Sequence, residues 1–344
     1  MGKKVTIQDI ADALGVSRNT VSKALNNTGI LAESTRHRVL EKAAELGYKQ
    51  FVYYPEAVSV SSAPTRELAL FTQSMPRGSH FGSYAINTFQ ERISANGCRL
   101  SIFLIREPEI SALQLPIGFD RDRTDGIVCI ELFDPEYTKM LGKLGIPILF
   151  MDTSANLDFY QVNADLLLME NHDSVYRLTA SLIRNGCRRL SFAGDIRHCL
   201  SFYERWQGFS DALRDAHLEP FGTRFLGKEV FQNIQDLSAA ISQLPGLPEV
   251  FICANDFIAL DLIRALKKHG IEVPDDVSIA GFDDAPESRV VEPHMTTVHI
   301  PSTQMGYIAA DMLLSRIENP DMPYRITHVR TDICYRASTR MKEM

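Results

Sequence analysis

The chain has 344 residues, 45% of them hydrophobic, which is long for one domain and supplies enough apolar side chains for two or three folded units. No run approaches the ~18 consecutive apolar residues of a membrane helix, and Met1 to Leu14 lacks the apolar core of a signal peptide, so a cytosolic, non-membrane protein is expected. Charge is uneven: residues 1–50 hold eight Lys or Arg against five Asp or Glu, leaving 28 against 38 in the remainder, so only the amino end has the local positive excess that phosphate contact needs.

That amino end begins with two short amphipathic segments. Thr6 precedes Ile7, Ile10, Ala11 and Leu14, which recur at helical spacing, and Asp9 lies three residues after Thr6, predicting a capped helix of about two turns. Gly15 suits the left-handed exit from that helix, and Ser17 can cap the next one. On the second helix Val21, Ala24 and Leu25 form the apolar stripe. Arg18, Asn19, Thr20, Ser22, Lys23 and Asn26 stand on the other faces, all hydrogen-bonding groups without negative charge. A lone polar helix of this kind is usually just solvated. A third helix, Ala32 to Tyr48, with Ser34 as cap, Val39, Ala43 and Leu46 on one stripe and Gly47 at its end, gives the first two a shared core.

Through VTIQDIA, LGVSRNTVS, ALN, STRHRV and LGY this stretch resembles the headpiece of the lactose-repressor and galactose-repressor family of bacterial transcription regulators. The resemblance implies a helix-turn-helix in the major groove of a pseudo-palindromic operator, carried by a homodimer. Arg18, Asn19 and Lys23 are the candidate base readers; Thr6, Ser17, Thr20, Ser22 and Asn26 are the candidate phosphate contacts. Lys23 stands where the family usually has arginine and lacks the planar fork that grips guanine.

Residues 51–65 are Ser-, Pro- and Val-rich with little charge, and read as a linker. The family places a hinge helix there whose leucine enters the minor groove. Here Gln50 and Phe51 replace Pro-Asn, Pro55 interrupts the expected helix and Ala57 takes the leucine's place, predicting a differently formed hinge with Val58 or Tyr53 and Tyr54 in its contacts.

Residues 66–344 alternate apolar strand candidates (Leu68 to Thr72, Leu100 to Leu104, Gly126 to Ile130, Pro147 to Met151, Leu190 to Ala193, Val250 to Cys253, Val277 to Gly281) with helical patterns (Tyr84 to Asn96, Pro135 to Leu144, Leu166 to Arg184, Trp206 to Ala216, Ile234 to Leu244, Phe257 to His269). This predicts an α/β body of parallel sheets covered by helices. The gap in strand rhythm around Asp152 to Asn163 divides it into two lobes with a ligand cleft at the strand ends.

TDGIV, PILFMD, RNGCRRLSFAG, ERWQGF, CANDFIAL and VSIAGFDDAPES are similar to the same family's two-lobed sensor core, which is periplasmic-binding-protein-like (type I). The family's three crossings between lobes imply an amino-terminal lobe of about 66–160 plus 296–319 and a carboxy-terminal lobe of about 161–295 plus 320–344. Its ligand residues fall on Asp152, Arg205, Asn255 and Asp283, with Ser74 and Phe81 on the facing lobe. Carboxylate acceptors and a guanidinium fork suit a small polyhydroxylated effector, most simply a carbohydrate. The same groups serve a nucleobase or nucleoside corepressor. Asp256 is assigned to a helix cap, Asp284 to a turn, Trp206 to core or lobe interface, and Phe231 lies near the family's stacking aromatic.

The six cysteines show no CxxC spacing and the nine histidines no HExxH, so reduced buried thiols, no metal and no cofactor are expected. Neither a GxSxG nor a Walker lysine motif is present, and an enzyme finds no machinery here. A stand-alone solute receptor would suit the body but would have no use for residues 1–50.

Overall fold

The computed structural model describes residues 5–25, 31–46, 48, 66–74, 80–222 and 224–340. Met1–Ala63 and Pro64–Met344 form two compact units. Asn26, Gly47 and the whole linker, residues 51–65 with Pro55 and Ala57, lie outside the described residues.

In the first unit α1 spans Ile7–Leu14, α2 Arg18–Leu25 and α3 Glu33–Glu45. The Thr6 and Asp9 pair closes a reciprocal capping box: the Thr6 N–H donates to Asp9 Oδ2 at 2.7 Å and the Asp9 N–H to Thr6 Oγ1 at 3.3 Å. Gly15 takes φ 66°, the left-handed exit. Ser17 Oγ accepts from the Thr20 N–H at 3.0 Å and caps α2. Ile10, Ala11, Val21, Ala24, Val39 and Ala43 are buried together, with Leu14, Leu25 and Leu46 packed partly against them. Helix α3 starts at Glu33, one residue ahead of Ser34, the expected cap.

The second unit opens with β1 (Arg66–Thr72), α4 (His80–Ala95), β2 (Cys98–Leu104), α5 (Glu107–Ala112), β3 (Gly126–Ile130), α6 (Pro135–Leu141), β4 (Ile148–Met151) and β5 (Asp165–Met169). It continues as α7 (His172–Arg184), β6 (Leu190–Ala193), α8 (Leu200–Asp215), α9 (Ile234–Ser242), β7 (Val250–Cys253), α10 (Asp256–Lys268), β8 (Ser278–Ala280) and β9 (Thr297–His299). Then follow α11 (Ser302–Glu318), β10 (Ile326–Val329) and β11 (Asp332–Cys334). One parallel sheet runs in the order β10-β5-β4-β3-β1-β2. The other runs β6-β7-β8, extended by bridges from Ala280 to Thr296 and from Asp283 to His299 onto β9 and its antiparallel partner β11.

Both faces of the six-stranded sheet are covered, and successive residues of each strand enter opposite cores. Leu70, Val128, Leu149 and Leu167 pack with Phe89 of α4 and Leu313 of α11, while Phe71, Ile127, Phe150 and Leu166 pack with Tyr137 of α6. A strand buried on both faces loses its period-2 signature, and this is why Leu166 to Met169, expected as the start of a helix, is instead β5. The helix begins only at His172.

The same strand moves the lobe boundaries. Because β5 and β10 belong to the six-stranded sheet, the first lobe runs to Met169 and recovers the chain through Val329, past the expected 160 and 319. Asp165 explains the pairing: its carboxylate, 1% exposed, accepts from Arg316 Nε at 2.9 Å and Nη2 at 3.0 Å, and from the Arg325 N–H at 2.7 Å. A buried carboxylate needs such partners, and only α11 and the segment entering β10 supply them. Residues 297–299, expected in the first lobe, form β9 of the second. The chain therefore crosses between lobes after β5, after β9 and after β10.

Candidate functional site

On the headpiece unit, Arg18, Asn19 and Lys23 are exposed on α2, with Thr20 and Ser22 half-buried beside them. Thr6 and Ser17 are exposed as well, at the first residues before α1 and α2. Their hydroxyls are engaged in caps, Ser17 Oγ also meeting Thr20 Oγ1 at 2.8 Å, so the polar surface of this helix start is held in a fixed arrangement. An exposed, cation-bearing helix face over a small buried core is the inventory a major-groove reader requires.

In the second unit a cavity of roughly 310 Å3 lies at the carboxyl ends of the strands of both sheets. All six residues proposed from the sequence, Ser74, Phe81, Asp152, Arg205, Asn255 and Asp283, line it. They come from the end of β1, the start of α4, the end of β4, the second turn of α8, the end of β7 and the end of β8. The sequence did not single out Glu131, Phe133, His198, Cys199, Ser201, Phe202 and Phe257, which also line the cavity. Their signal was position alone: each follows a strand or opens a helix.

Three carboxylates of the cavity hold left-handed backbone: Glu131 at φ 52°, Asp152 at φ 69° and Asp283 at φ 122°. Such conformations cost on the order of 1–3 kcal/mol each and aim the side chain away from the strand's own direction. Arg205 is 3% exposed and held in place through Nε and Nη1. Its Nε donates to Asn171 Oδ1 at 2.9 Å and its Nη1 to the Ala254 carbonyl at 2.6 Å, and Nη1 lies 3.7 Å from Asp283 Oδ1. The guanidinium stacks 3.6 Å over the Phe282 ring, with Phe202 at 5.6 Å on its other flank. This fixes the plane of the fork that a ligand would meet.

Asp152 has a second duty. Cys199, the residue before α8, offers no side-chain cap. Asp152 Oδ1, from the other lobe, accepts from the Ser201 N–H at 3.2 Å and from the Thr153 N–H at 2.7 Å, while the Leu200 N–H donates to the Thr153 carbonyl at 2.7 Å. Helix α8 is thus capped across the cleft. Burial pushes the Asp152 carboxyl pKa up, against the pull of these donors and of Arg205. Burial likewise lowers the His198 pKa, against the pull of Asp152 and Asp195; the ring sits 5.1 Å from Phe133, edge to face, and 5.1 Å from Phe202.

The neighbouring aspartates differ from expectation. Asn255, not Asp256, caps α10, its Oδ1 accepting from the Ile258 N–H at 2.9 Å and leaving the amide NH2 for a ligand. Asp256 is fully buried as a pin, accepting from Thr297 Oγ1 at 2.6 Å and the Ala285 N–H at 2.8 Å; burial and the nearby Asp283 raise its pKa well above the carboxylate range. Asp284 is in the expected turn but serves as a hub. Burial raises its pKa, yet the guanidiniums of Arg289 and Arg336, each at 2.5 Å, outweigh that and hold it low. Phe231 is not at the cavity; it packs with the core of α9 and α10. Trp206 packs against the main core beside Tyr203, at 5.7 Å.

No helix among the described residues is long and apolar enough to cross a membrane, and no cluster of His, Cys, Asp or Glu among them is arranged to hold a metal. All six cysteines are free thiols, four of them buried.

A helix-turn-helix unit and, in the same chain, a two-lobed α/β unit with a cavity between its sheets define a DNA-binding transcriptional regulator. Residues 6–50 match the model of bacterial regulatory proteins, lacI family, and residues 179–339 that of the periplasmic binding protein-like domain; the chain belongs to the LacI family. That family consists of transcriptional regulators. The HTH-type transcriptional repressor PurR of Vibrio parahaemolyticus serotype O3:K6 is 29% identical over 346 residues, 97% of this chain and 98% of that one. PurR of Actinobacillus pleuropneumoniae serotype 3 is 29% identical over 337 residues, 93% of each. Among solved structures, the transcriptional regulator CelR in complex with cellobiose aligns over 97% of this chain and 100% of its own, with TM-score 0.70 and 24% identity. The Lac repressor bound to ONPG aligns over 98% and 100%, with TM-score 0.68 and 22% identity. These likenesses agree in fold.

Proposed function

We propose that the protein is a cytoplasmic, homodimeric repressor whose affinity for a pseudo-palindromic operator is set by a small effector in the cleft. Arg18, Asn19 and Lys23 read base edges, while Thr6, Ser17, Thr20, Ser22 and Asn26 hold phosphates, helped by the amino end of α2. The supporting observation is convergence: six residues chosen from six separate segments line one cavity.

The effector in this reading is a carbohydrate, bound without chemistry on it. Asp152 and Asp283 accept from hydroxyls, Arg205 and the Asn255 amide donate, and Phe81, Phe133, Phe202 and Phe257 cover the C–H faces. The second reading, a nucleobase or nucleoside corepressor, draws on the same four phenyl rings, on which a flat heterocycle can stack. Effector and operator are linked: whichever of open and closed lobes the effector favours, DNA changes effector affinity by the same factor, with a coupling of about 1–3 kcal/mol adequate for a moderate switch.

A thermal-shift panel of sugars, sugar phosphates and purines, run on the full-length protein and on Asp283→Ala, separates the two readings. A sugar that raises the melting temperature of the parent but not of the variant supports the carbohydrate reading; a purine that does so replaces it. No shift from either class sinks the cleft as an effector site.

A further inference from the structure

Asn171, which no sequence motif singled out, makes four side-chain hydrogen bonds at the junction of the lobes. It is 1% exposed and stands in the first crossover, between the end of β5 and the start of α7. Its Oδ1 accepts from Arg205 Nε at 2.9 Å. Its Nδ2 faces three acceptors: the Met169 carbonyl at 2.9 Å, Glu204 Oε2 at 2.8 Å and Ser201 Oγ at 3.2 Å. An amide NH2 has two hydrogens, so only two of the three can be fully served at once. The other carboxylate oxygen of Glu204 lies 3.7 Å from Nε2 of His328, on β10 just before the third crossover.

We propose that Asn171 is the positioning residue for Arg205, and that through Asn171 and Glu204 the setting of the cleft guanidinium is tied to the first and third crossovers between the lobes. This rests on the reading that Arg205 meets the effector, which it extends by naming how a change at the guanidinium leaves the cavity. Arg205 has little freedom of its own, being clamped over Phe282 and bonded to Ala254. A ligand drawing on its outer nitrogens therefore alters the Nε bond to Asn171. The surplus of acceptors around Nδ2 gives Asn171 discrete alternative partners, the kind of two-state element that coupling between distant sites requires. One partner, Met169, ends β5; another, Glu204, reaches His328 on β10; the third, Ser201, is held through its N–H by Asp152 of the first lobe.

The test uses no effector, so failure of the effector panel and failure of this proposal are distinguishable. Melting temperatures of the full-length protein are measured for Glu204→Ala, Arg205→Lys and their double variant, with and without Asn171→Ala. Arg205→Lys keeps the charge and removes the Nε donor, which leaves direct charge coupling between neighbours 204 and 205 out of the cycle. The double variant should lose less than the sum of the single losses, by about 2 °C, and the discrepancy should vanish when Asn171 is absent. Amide exchange in Asn171→Ala should rise at both 169–172 and 329–332. If Asn171→Ala does not fold, Asn171→Asp takes its place, keeping the acceptor for Arg205 and losing the donors to Glu204, with the same expected loss of coupling. Non-additivity that survives without Asn171, additivity in the parent, or an exchange rise confined to 169–172 would each overturn the proposal.

Discussion

The headpiece and the sensor core carry their functional groups in opposite ways. In the headpiece, Arg18, Asn19 and Lys23 stand in solvent on one eight-residue helix whose partners all lie within 50 residues. In the core, Arg205, Asp152 and Asn171 are buried, and each has a partner 30 or more residues away in sequence. A side chain that is exposed and unshared can be changed at the expense of one contact with its target. One that is buried and shared cannot be changed without altering the lobes themselves, so recognition and stability are separable in the first unit and fused in the second.

Arg205→Ala should break that contrast most forcefully. It leaves Asn171 Oδ1 and the Ala254 carbonyl without the Arg205 donor and removes the ion pair to Asp283, and should cost on the order of 3–5 kcal/mol of core stability, read by denaturant unfolding, while headpiece amide exchange stays unchanged. If the core kept its stability, the cleft arginine would be as separable as a surface residue. Gly208→Ala comes next: a Cβ there would land on the His172 carbonyl and drive α7 from α8, costing about 1–3 kcal/mol by the same measurement.

On the headpiece side, Arg18→Ala or Asn19→Ala should weaken selected operator DNA by about 1–3 kcal/mol and relax one base position per half-site, with no change in the melting temperature. Equal loss on operator and random duplex in gel-shift titrations would move that residue from base reading to phosphate contact. Thr6→Ala removes the capping box and should cost about 1 kcal/mol of headpiece stability, visible as faster exchange in α1 alone.

The smallest effect is a pH dependence. The Glu204 carboxylate, 3.7 Å from Nε2, raises the His328 pKa, so the stability this pair contributes is fully present below the unfolded histidine value of about 6.5 and is lost as pH rises through the raised native value. Glu170, the other nearby carboxylate, is occupied by Asp173 and Ser174. In His328→Gln the melting temperature should no longer fall across that window relative to the parent; an unchanged profile would remove His328 from the junction's electrostatics.

The same contrast decides what the sequence discloses. The headpiece was legible almost to the residue because caps, the left-handed glycine and the apolar stripe act over three or four positions. Gly126–Ile130, Leu190–Ala193 and Val250–Cys253 were also legible with their exact ends, each a short apolar run between turn residues. Strand β5 was not, since four consecutive apolar residues buried on both faces carry no period, and Asp165 at its start gives no hint of Arg316. Asn171, Glu131 and His198 were illegible for a related reason: their roles come from groups on other strands and the other lobe, which local spacing does not encode.

The pairing of β5 with β10 also imposes an order on biosynthesis. The last described headpiece residues, 46 and 48, are synthesised before any sheet residue, so the DNA-reading unit can fold first. The first lobe has to wait. Until Ile326–Val329 are synthesised, β5 offers an unpaired edge of Leu166, Leu167 and Leu168, and until Arg316 arrives Asp165 has no guanidinium beside it. A nascent chain released before residue 326 would therefore hold a finished reader beside a sheet with a sticky apolar margin, and its fate would be aggregation or proteolysis ahead of any misdirected regulation.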